Sequence, residues 1–314
     1  MNETFLVAVE AVCPMLILII AGYFAAKTSL IDAPMSKKLS ALVINLAQPC
    51  MLFNALTSVE YSEDKVKTGL LTIAIGLLSH VILALFAFFA AKYQKEPKAR
   101  KITEFSLVFV NAGFLGIPLL QTILGDIGRF WCGFYVVAFN LSVWSYGLLV
   151  LARGRSDIKM NFRKAVLNMG TVPCFIGLIF YILQIHLPAP IASAVNFMNN
   201  LCTPLVLLVI GANLARLPFR EVFGDWRLYL FAFLRLLAAP ALIALLYHLC
   251  GMADDRVVFF GVMASLPTAA VTVMFAELYD ERPDLAARTV SLSTVLSMVT
   301  IPVSVLITGL ILKL

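Results

Sequence analysis

Residues 111–118 read NAGFLGIP and interrupt the fourth long apolar stretch of the chain. Gly113 and Gly116 loosen the backbone, and Pro118 removes an N–H group and clashes with the preceding turn. Lipid cannot hydrogen-bond the backbone groups that such a break releases, so breaks are tolerated only inside protein or against a water-filled cavity. The ninth apolar stretch carries a counterpart, SLPT at residues 265–268. Two broken helices at matching positions are typical of the substrate site of a secondary transporter.

The composition is typical of an integral membrane protein. Of the 314 residues, 61% are hydrophobic and only 13% are charged, whereas soluble domains are ~25% charged. Hydrophobicity this continuous argues against a transmembrane β-barrel. At ~20 residues per helical crossing, we predict an all-α protein with ten spans, at residues 5–27, 36–58, 66–91, 102–124, 129–151, 166–186, 191–215, 226–249, 256–279 and 286–312. The first stretch lacks a basic leader, and we expect it to stay in the membrane.

The basic residues predict the orientation in the membrane. Loops that follow odd-numbered spans carry 18 of the 24 lysines and arginines, and the opposite side carries 5. Because loops rich in lysine and arginine remain in the cytoplasm, we expect both termini to lie outside. The net charge of +6 therefore reflects topology and gives no reason to propose nucleic-acid binding.

Two short sequences recur about half a chain apart. NLAQP at residues 45–49 in the second span and NLCTP at residues 200–204 in the seventh are separated by 155 positions. We predict two five-span repeats, at residues 1–152 and 165–314, joined by a cytoplasmic linker at residues 153–164. Because five is odd, the second repeat enters from the opposite face, so the repeats are inverted.

The sequence gives no sign of enzymatic or metal chemistry. All six cysteines lie in or at the ends of apolar spans, and no CxxC pair occurs. This favours small buried side chains over a metal site or a disulfide framework. HExxH, Walker and GxSxG motifs are missing as well. We therefore expect no enzyme, no metal and no cofactor, and the chain by itself lacks the ATP-binding domain of a primary pump.

Four segments resemble the auxin efflux carrier family, which includes bacterial organic-anion carriers and the plant PIN proteins. The matching segments are NLAQPCMLF at 45–53, NAGFLGIPLL at 111–120, LPTAAVTVMFAELYDERPD at 266–284 and TIPVSVLI at 300–307. The resemblance implies a ten-helix fold of two inverted repeats in the bacterial inner membrane, with the fourth and ninth helices crossing where each is unwound. It also implies a scaffold of helices one, two, six and seven that forms a homodimer, and a moving unit of the other six. The long cytoplasmic loop of many plant relatives is missing, so regulation through such a loop is not expected.

The predicted substrate site is built from the two breaks. Half-helices that begin at a break present free N–H groups and a partial positive charge, which suits a carboxylate without a lysine. The candidate substrate-binding residues are Asn111, Gly113, Gly116, Pro118, Ser265, Pro267, Thr268, Asn45 and Asn140. The alternative for the glycines and prolines is close helix packing or a simple kink. For Asn45 it is a hydrogen bond to backbone groups freed by Pro49.

Ionisable residues within membrane spans are functional candidates by default. His80 is a candidate for a proton-coupling role, with a buried structural histidine as the alternative. Arg235 could attract an anion or extend toward the cytoplasm. Glu10, in the first span, could reach the outer interface.

We therefore predict a secondary carrier of small organic anions, such as malonate or another dicarboxylate, that works by alternating access. One alternative is a sodium-coupled carrier of the bile-acid type. A membrane anion receptor that does not transport and an ion channel are two others. A dedicated cation exchanger is disfavoured because the spans contain no cluster of paired carboxylates.

Overall fold

The computed structural model describes residues 2–155 and 167–314, and within these ranges every regular element is helical. The α-helices are α1 (Asn2–Lys27), α2 (Ala33–Leu42), α3 (Gln48–Thr57), α4 (Glu63–Ala90), α5 (Pro97–Val108), α6 (Ile117–Leu124), α7 (Asp126–Ser142), α8 (Leu148–Ala152), α9 (Val172–Ile182), α10 (Ala189–Leu214), α11 (Phe219–Phe223), α12 (Trp226–Phe233), α13 (Ala239–Leu249), α14 (Asp254–Ser265), α15 (Val271–Leu278) and α16 (Pro283–Ile311). Most of the predicted linker, from residue 156 to 164, lies outside the described residues.

Seven helical stretches among the described residues are long and apolar enough to cross a membrane. They are Phe5–Lys27, Ala33–Thr57, Glu63–Tyr93, Asp126–Ala152, Ala189–Leu214, Trp226–Leu249 and Pro283–Ile311. These stretches coincide with the predicted spans one, two, three, five, seven, eight and ten. The chain is therefore a multi-pass membrane protein.

The other three predicted spans are shorter or interrupted helices. The fourth is divided into α5 and α6, and the ninth into α14 and α15. The sixth is α9, which begins at Val172 rather than at residue 166. A turn precedes it, in which the side-chain Oδ1 of Asn168 accepts hydrogen bonds from the backbone N–H groups of Gly170 and Thr171. The end of α9 falls before Gln184, whose φ of 53° is left-handed and stops the helix.

Wide π-helical turns lie inside four of the spans. They comprise Val43–Ala47, Ala112–Gly116, Val143–Gly147 and Leu234–Ala238. Three of them are followed two residues later by a proline, at positions 49, 118 and 240. Proline lacks a donor and clashes with the carbonyl four residues earlier, so a widened turn accommodates it without breaking the helix.

Spans one and seven pack with their backbones in direct contact. A Cβ atom at Gly22 of α1 would lie 2.1 Å from the carbonyl oxygen of Leu208 in α10, and one at Gly211 would lie 1.9 Å from that of Ile19. Neither position can accept a side chain without separating the helices. Small residues let two membrane helices approach closely and gain van der Waals contacts. These contacts drive helix association in lipid, where there is no hydrophobic effect between helices.

A polar contact joins the second, fifth and seventh spans at the opposite end from the basic loops. Arg129 of α7 donates through Nη2 to the side-chain oxygens of Asn54 in α3 and Asn199 in α10. Asn54 in turn donates to Asn196 of α10. Arg129 is only 8% exposed, and among the described residues its side-chain hydrogen bonds go to neutral amides rather than to a carboxylate.

Candidate functional site

The two interrupted spans meet at their breaks. Val110 and Thr268 form an isolated antiparallel β-bridge. On either side of it, the backbone N of Asn111 lies 2.9 Å from the carbonyl oxygen of Pro267, and the N of Ala269 lies 2.9 Å from that of Phe109. Residues 109–111 and 267–269 are called the junction below. These hydrogen bonds between the two extended segments satisfy some of the backbone N–H and C=O groups that each break leaves without a helical partner. Buried backbone groups in an apolar environment need such partners.

Local sequence explains why the helices stop there. Pro267 disfavours the helical region for the residue before it, and Leu266 is accordingly extended with ψ of 149°. In the other span, Phe109 adopts φ −95° and ψ 114° at the end of α5. The chain then re-enters a helix through the π-helical turn Ala112–Gly116, and Pro118 takes an early position in α6, where its missing donor costs nothing.

Four backbone donors remain free beside the junction. Within the described chain, the N–H groups of Gly113 and Phe114 and those of Ala270 and Val271 have no acceptor within hydrogen-bonding distance. All four residues are partly or fully exposed, although their neighbours at the junction are buried. Each pair lies at the start of a half-helix, where the helix dipole places partial positive charge. The arrangement can therefore receive an anion from two directions.

Asn111 adds a free side chain to these donors. It is 5% exposed, and no described residue hydrogen-bonds its amide. Its backbone oxygen accepts from the N–H groups of Leu115 at 3.3 Å and Gly116 at 3.2 Å, which holds the residue at the start of the turn. Because the amide has no partner and is not among the fully buried polar groups of the described chain, it reaches accessible space beside the junction and is available to a ligand.

Gln48 of the second span also reaches this region. A Cβ atom at Gly113 would lie 3.8 Å from Gln48 Nε2, an ordinary contact distance. The side-chain amide therefore lies beside the first free N–H pair. Gln48 precedes Pro49 in the sequence, and no local pattern shows that it faces the other broken span.

Ser265 and Thr268 are at the break, but their hydroxyl groups bond to the protein. Ser265 Oγ donates to the carbonyl oxygen of Val262 at 2.8 Å, and Thr268 Oγ1 donates to that of Ser106 at 3.1 Å. The backbone N–H of Thr268 bonds to Ser293 Oγ at 3.2 Å. Both residues are fully buried. Their geometry fits a structural role at the junction.

Gly116 and Pro118 shape the path of the fourth span. A Cβ atom at Gly116 would lie 3.0 Å from Leu266 Cδ1, so the absence of a side chain allows the ninth span to approach. The carbonyl oxygen of Pro118 accepts from Thr122 Oγ1 at 3.0 Å. These contacts match the close-packing alternative for both residues.

Asn45 and Asn140 hydrogen-bond to their own helices. Asn45 Nδ2 donates to the carbonyl oxygen of Ala41 at 2.8 Å, and Asn140 Nδ2 donates to that of Val136 at 2.9 Å. The Asn140 side chain also lies against Gly170, at the start of the sixth span. Neither amide contacts the junction through a hydrogen bond.

Arg235 of the eighth span hydrogen-bonds the backbone just before the junction. Its Nη1 donates to the carbonyl oxygen of Ala264 at 3.0 Å, and its Nη2 donates to that of Leu266 at 2.9 Å. The side chain is 0% exposed, so extension to the cytoplasm is wrong. The positive guanidinium interacts favourably with the negative, C-terminal end of the α14 dipole. Its forked N–H groups reach two carbonyl oxygens at once.

His80 and Glu10 differ in environment. His80 is 3% exposed, and its Nδ1 lies 2.7 Å from the carbonyl oxygen of Gly76. Its Nε2 has no partner, and the ring packs between Phe109 and Tyr135, with centroids 5.9 and 5.4 Å away. Glu10 is exposed on α1 and makes no ion pair with a described residue. The described residues contain no cluster of three metal-ligating side chains.

Ion pairs join the basic ends of the two broken spans. Lys101 of α5 lies 2.8 Å from the carboxylate of Glu281, in the loop after α15, and Lys98 lies 3.4 Å from that of Asp280. Glu281 is only 1% exposed. Arg282 pairs with Glu96 at the start of α5. The fourth and ninth spans are thus connected both at the junction and at their ends.

Comparison with known proteins finds similarity along nearly the whole chain. A family model described as membrane transport protein matches residues 7–305. An uncharacterized transporter of Methanothermobacter thermautotrophicus is 26% identical over 301 residues, which cover 95% of this chain and 97% of that protein. A Rhizobium meliloti protein named "Putative malonate transporter" is 23% identical over 304 residues, 92% of each chain.

Proposed function

Because the chain belongs to the membrane transport protein family, whose members here are transporters and not enzymes, we propose that it is a secondary carrier of small organic anions. The observation that carries this proposal is the junction, where two half-helices present free N–H groups beside the unpartnered amide of Asn111. Donors fixed by the backbone need no reorganisation when a negative charge arrives.

The proposed substrate is a carboxylate, with a dicarboxylate such as malonate as the first candidate. Two pairs of free donors, one at each half-helix, complement an anion with oxygen atoms at both ends. The name of the Rhizobium meliloti relative supports malonate, at 23% identity. Asn111, Gly113 and the residues after Pro267 would contact the substrate, and Gln48 would reach it from the second span.

The proposed mechanism is alternating access by movement of one helical unit against another. The chain would consist of ten spans in two inverted five-span repeats, with spans one, two, six and seven as the scaffold. Spans three to five and eight to ten would carry the site across the membrane. The direct backbone contact of spans one and seven supports a rigid scaffold, and the ion pairs between spans four and nine support a unit that moves as one body.

The scaffold is also the proposed dimer surface. Phe197 and Leu201 of α10 are 73% and 41% exposed, and an apolar face on the scaffold is available to a second copy. Light scattering on purified protein in detergent is expected to give twice the chain mass of 34.4 kDa. A monomeric mass at all concentrations contradicts the dimer and leaves the carrier proposal intact.

Binding and transport require separate experiments. A ligand that binds only the folded state raises the unfolding temperature, so a thermal-shift screen of purified protein against mono- and dicarboxylates should identify the substrate. Proteoliposomes preloaded with that compound should then show counterflow of the labelled form. A ligand that raises the unfolding temperature without supporting counterflow would indicate a receptor. Electrical currents larger than a cycling carrier can produce would indicate a channel. Uptake that requires an imposed sodium gradient would favour a sodium-coupled carrier of the bile-acid type.

A further inference from the structure

A second cationic site lies at the basic end of α4, away from the junction. A cavity of about 350 Å³, called the basic pocket below, opens between the end of α4 and the start of α5. Five cations and one carboxylate line it: Lys92, Lys95, Arg100, Lys101, Arg153 and Glu104. The proposed carrier function does not use this cavity.

The carboxylate in the basic pocket is already neutralised. Glu104 accepts hydrogen bonds from Arg153 Nη1 at 2.5 Å and Arg153 Nη2 at 2.7 Å, and a further one from the Tyr146 hydroxyl. Lys101 is paired with Glu281 at 2.8 Å. Each of these two acids thus already has a cationic partner, and neither is available to the remaining cations of the pocket.

Three cations therefore face the cavity without an acid. Among the described residues, no carboxylate lies within ion-pair distance of Lys92, Lys95 or Arg100. Arg100 donates only to the carbonyl oxygen of Gln94, through Nε at 3.2 Å and Nη2 at 3.1 Å. Its remaining N–H groups are free to bind a ligand. Uncompensated cations in a concave site attract an anion, and both arginine and lysine commonly bind phosphate.

Lys92 connects the basic pocket to lipid-facing surface. Its Nζ lies 5.2 Å from the ring centroid of Phe88 and 4.6 Å from that of Phe89. Phe89 is 62% exposed, as expected for an aromatic side chain at a membrane interface. The two rings hold the ammonium group at the boundary between the polar cavity and the apolar side of the helix.

An apolar groove begins at Phe89, one of the two rings that Lys92 contacts. It has a volume of about 650 Å³ and runs between α4 and the eighth span, lined by Ile82, Leu85, Phe89, Leu234, Leu242 and Leu246. From Phe89 back to Ile82 the groove follows α4 for ~11 Å, at 1.5 Å per residue. That length accommodates the first part of an acyl chain.

We propose that an anionic phospholipid binds here, with its phosphate in the basic pocket and one acyl chain in the apolar groove. A charged cavity and an apolar groove that meet at one lysine match the two halves of an amphipathic ligand. Basic pockets between helices on the cytoplasmic side are typical sites for acidic headgroups. A zwitterionic headgroup fits less well, because its positively charged group would be repelled by the three cations of the basic pocket that have no acidic partner.

Native mass spectrometry of the full chain tests the proposal. Protein purified in detergent is mixed with equal amounts of phosphatidylglycerol and phosphatidylcholine, and the retained lipid is counted. We expect phosphatidylglycerol to be retained in at least about tenfold excess, and Lys92→Gln with Lys95→Gln to abolish that excess. Lys65→Gln with Lys67→Gln, at the opposite end of α4, is the matched control and should leave it unchanged. Equal retention of the two lipids, or equal losses in both double variants, overturns the proposal.

A second variant separates a lipid from free phosphate. Leu85→Trp fills the groove at a side chain that is 59% exposed, so folding should be unaffected and the basic pocket intact. We expect it to reduce phosphatidylglycerol retention severalfold, and we expect millimolar inorganic phosphate not to displace the lipid from the parent protein. Undiminished retention by Leu85→Trp, or displacement by inorganic phosphate, identifies a site for soluble phosphate and refutes the lipid.

Discussion

Asn111 is the side chain that most directly links the sequence to the proposed site. Its amide lies at the junction, and no described residue hydrogen-bonds it, whereas the hydroxyl groups of Ser265 and Thr268 are occupied by backbone oxygens. In the sequence all three are candidate donors near a break, and the family resemblance favours Asn111 among them. Which of the three side chains faces a ligand depends on how each half-helix is rotated about its axis. That rotation cannot be read from the amino-acid sequence.

Replacing Asn111 tests this distinction. Asn111→Ala removes a donor to a charged group, worth ~1.5–3 kcal/mol, so substrate affinity should fall by about 10- to 100-fold while the unfolding temperature changes little. Isothermal titration of the purified variant measures the change. Ser265→Ala is the matched control, and we expect affinity within about twofold of the parent. A stronger loss in Ser265→Ala than in Asn111→Ala would reverse the assignment.

Arg235 has a structural role that the sequence did not specify. The guanidinium satisfies two buried carbonyl oxygens at the end of α14, and each unmet acceptor costs ~1–3 kcal/mol. Arg235→Ala should therefore lower the unfolding temperature clearly, and Arg235→Lys should recover only part of the loss because one ammonium group cannot match the fork. Thermal unfolding in detergent measures both. Arg227→Ala, at an exposed arginine of the same span, should have little effect, and equal destabilisation by Arg227→Ala would contradict this role.

At the scale of helices, the approximate positions of the breaks were predictable and their pairing was not. Glycine and proline act locally, so SLPT indicates the second interruption directly, whereas the first lies at residues 109–111, just before the glycines and proline of NAGFLGIP, which are helical. The antiparallel register of Val110 with Thr268 joins residues 158 positions apart. The start of α9 was also missed, because the turn at residues 168–171, NMGT, was included in the sixth predicted span.

A disulfide tests the register of the junction. The hydrogen bonds flank Val110 and Thr268 instead of joining them, and in such a pair the Cα atoms are ~4.5 Å apart, within the range that a disulfide spans. On a background without the six native cysteines, Val110→Cys with Thr268→Cys should form an intramolecular bond on oxidation. Peptide mass spectrometry detects the linked fragments. Val110→Cys with Ala269→Cys is one residue out of register, with side chains on opposite faces, and should link poorly; efficient linkage in that control would show a different register.

At the scale of the whole molecule, the family membership confirms the resemblance inferred from four short segments. Hydrophobicity and length predicted a multi-pass helical protein because each span must satisfy its own backbone. The inverted repeats, the orientation and the homodimer stay predictions. The two related motifs differ in conformation, since NLAQP passes through a π-helical turn whereas NLCTP lies in the continuous helix α10.

Movement of the proposed transport unit predicts a specific sensitivity to cross-linking. Arg129 on the fifth span contacts Asn54 on the second, so a short bismaleimide between Asn54→Cys and Arg129→Cys would join the moving unit to the scaffold. Counterflow in proteoliposomes should stop. Cross-linking Asn54→Cys to Asn196→Cys joins two scaffold spans that already touch and should leave counterflow intact. Undiminished counterflow after the first cross-link would exclude relative motion at this contact.

The ion pairs between α5 and the loop after α15 have a mechanical consequence. Lys101 and Glu281 are both largely shielded from water, and Glu281 also lies 3.7 Å from Arg155; separating Lys101 from Glu281 would remove the nearer of two countercharges from a buried carboxylate, which is costly. The same two spans are also hydrogen-bonded to each other at the junction. A hinge motion between them would therefore break the junction hydrogen bonds and the ion pairs together. We therefore expect the fourth and ninth spans to move through the bilayer together when the substrate is released to either side. The substrate site at the junction should keep the same shape throughout the transport cycle.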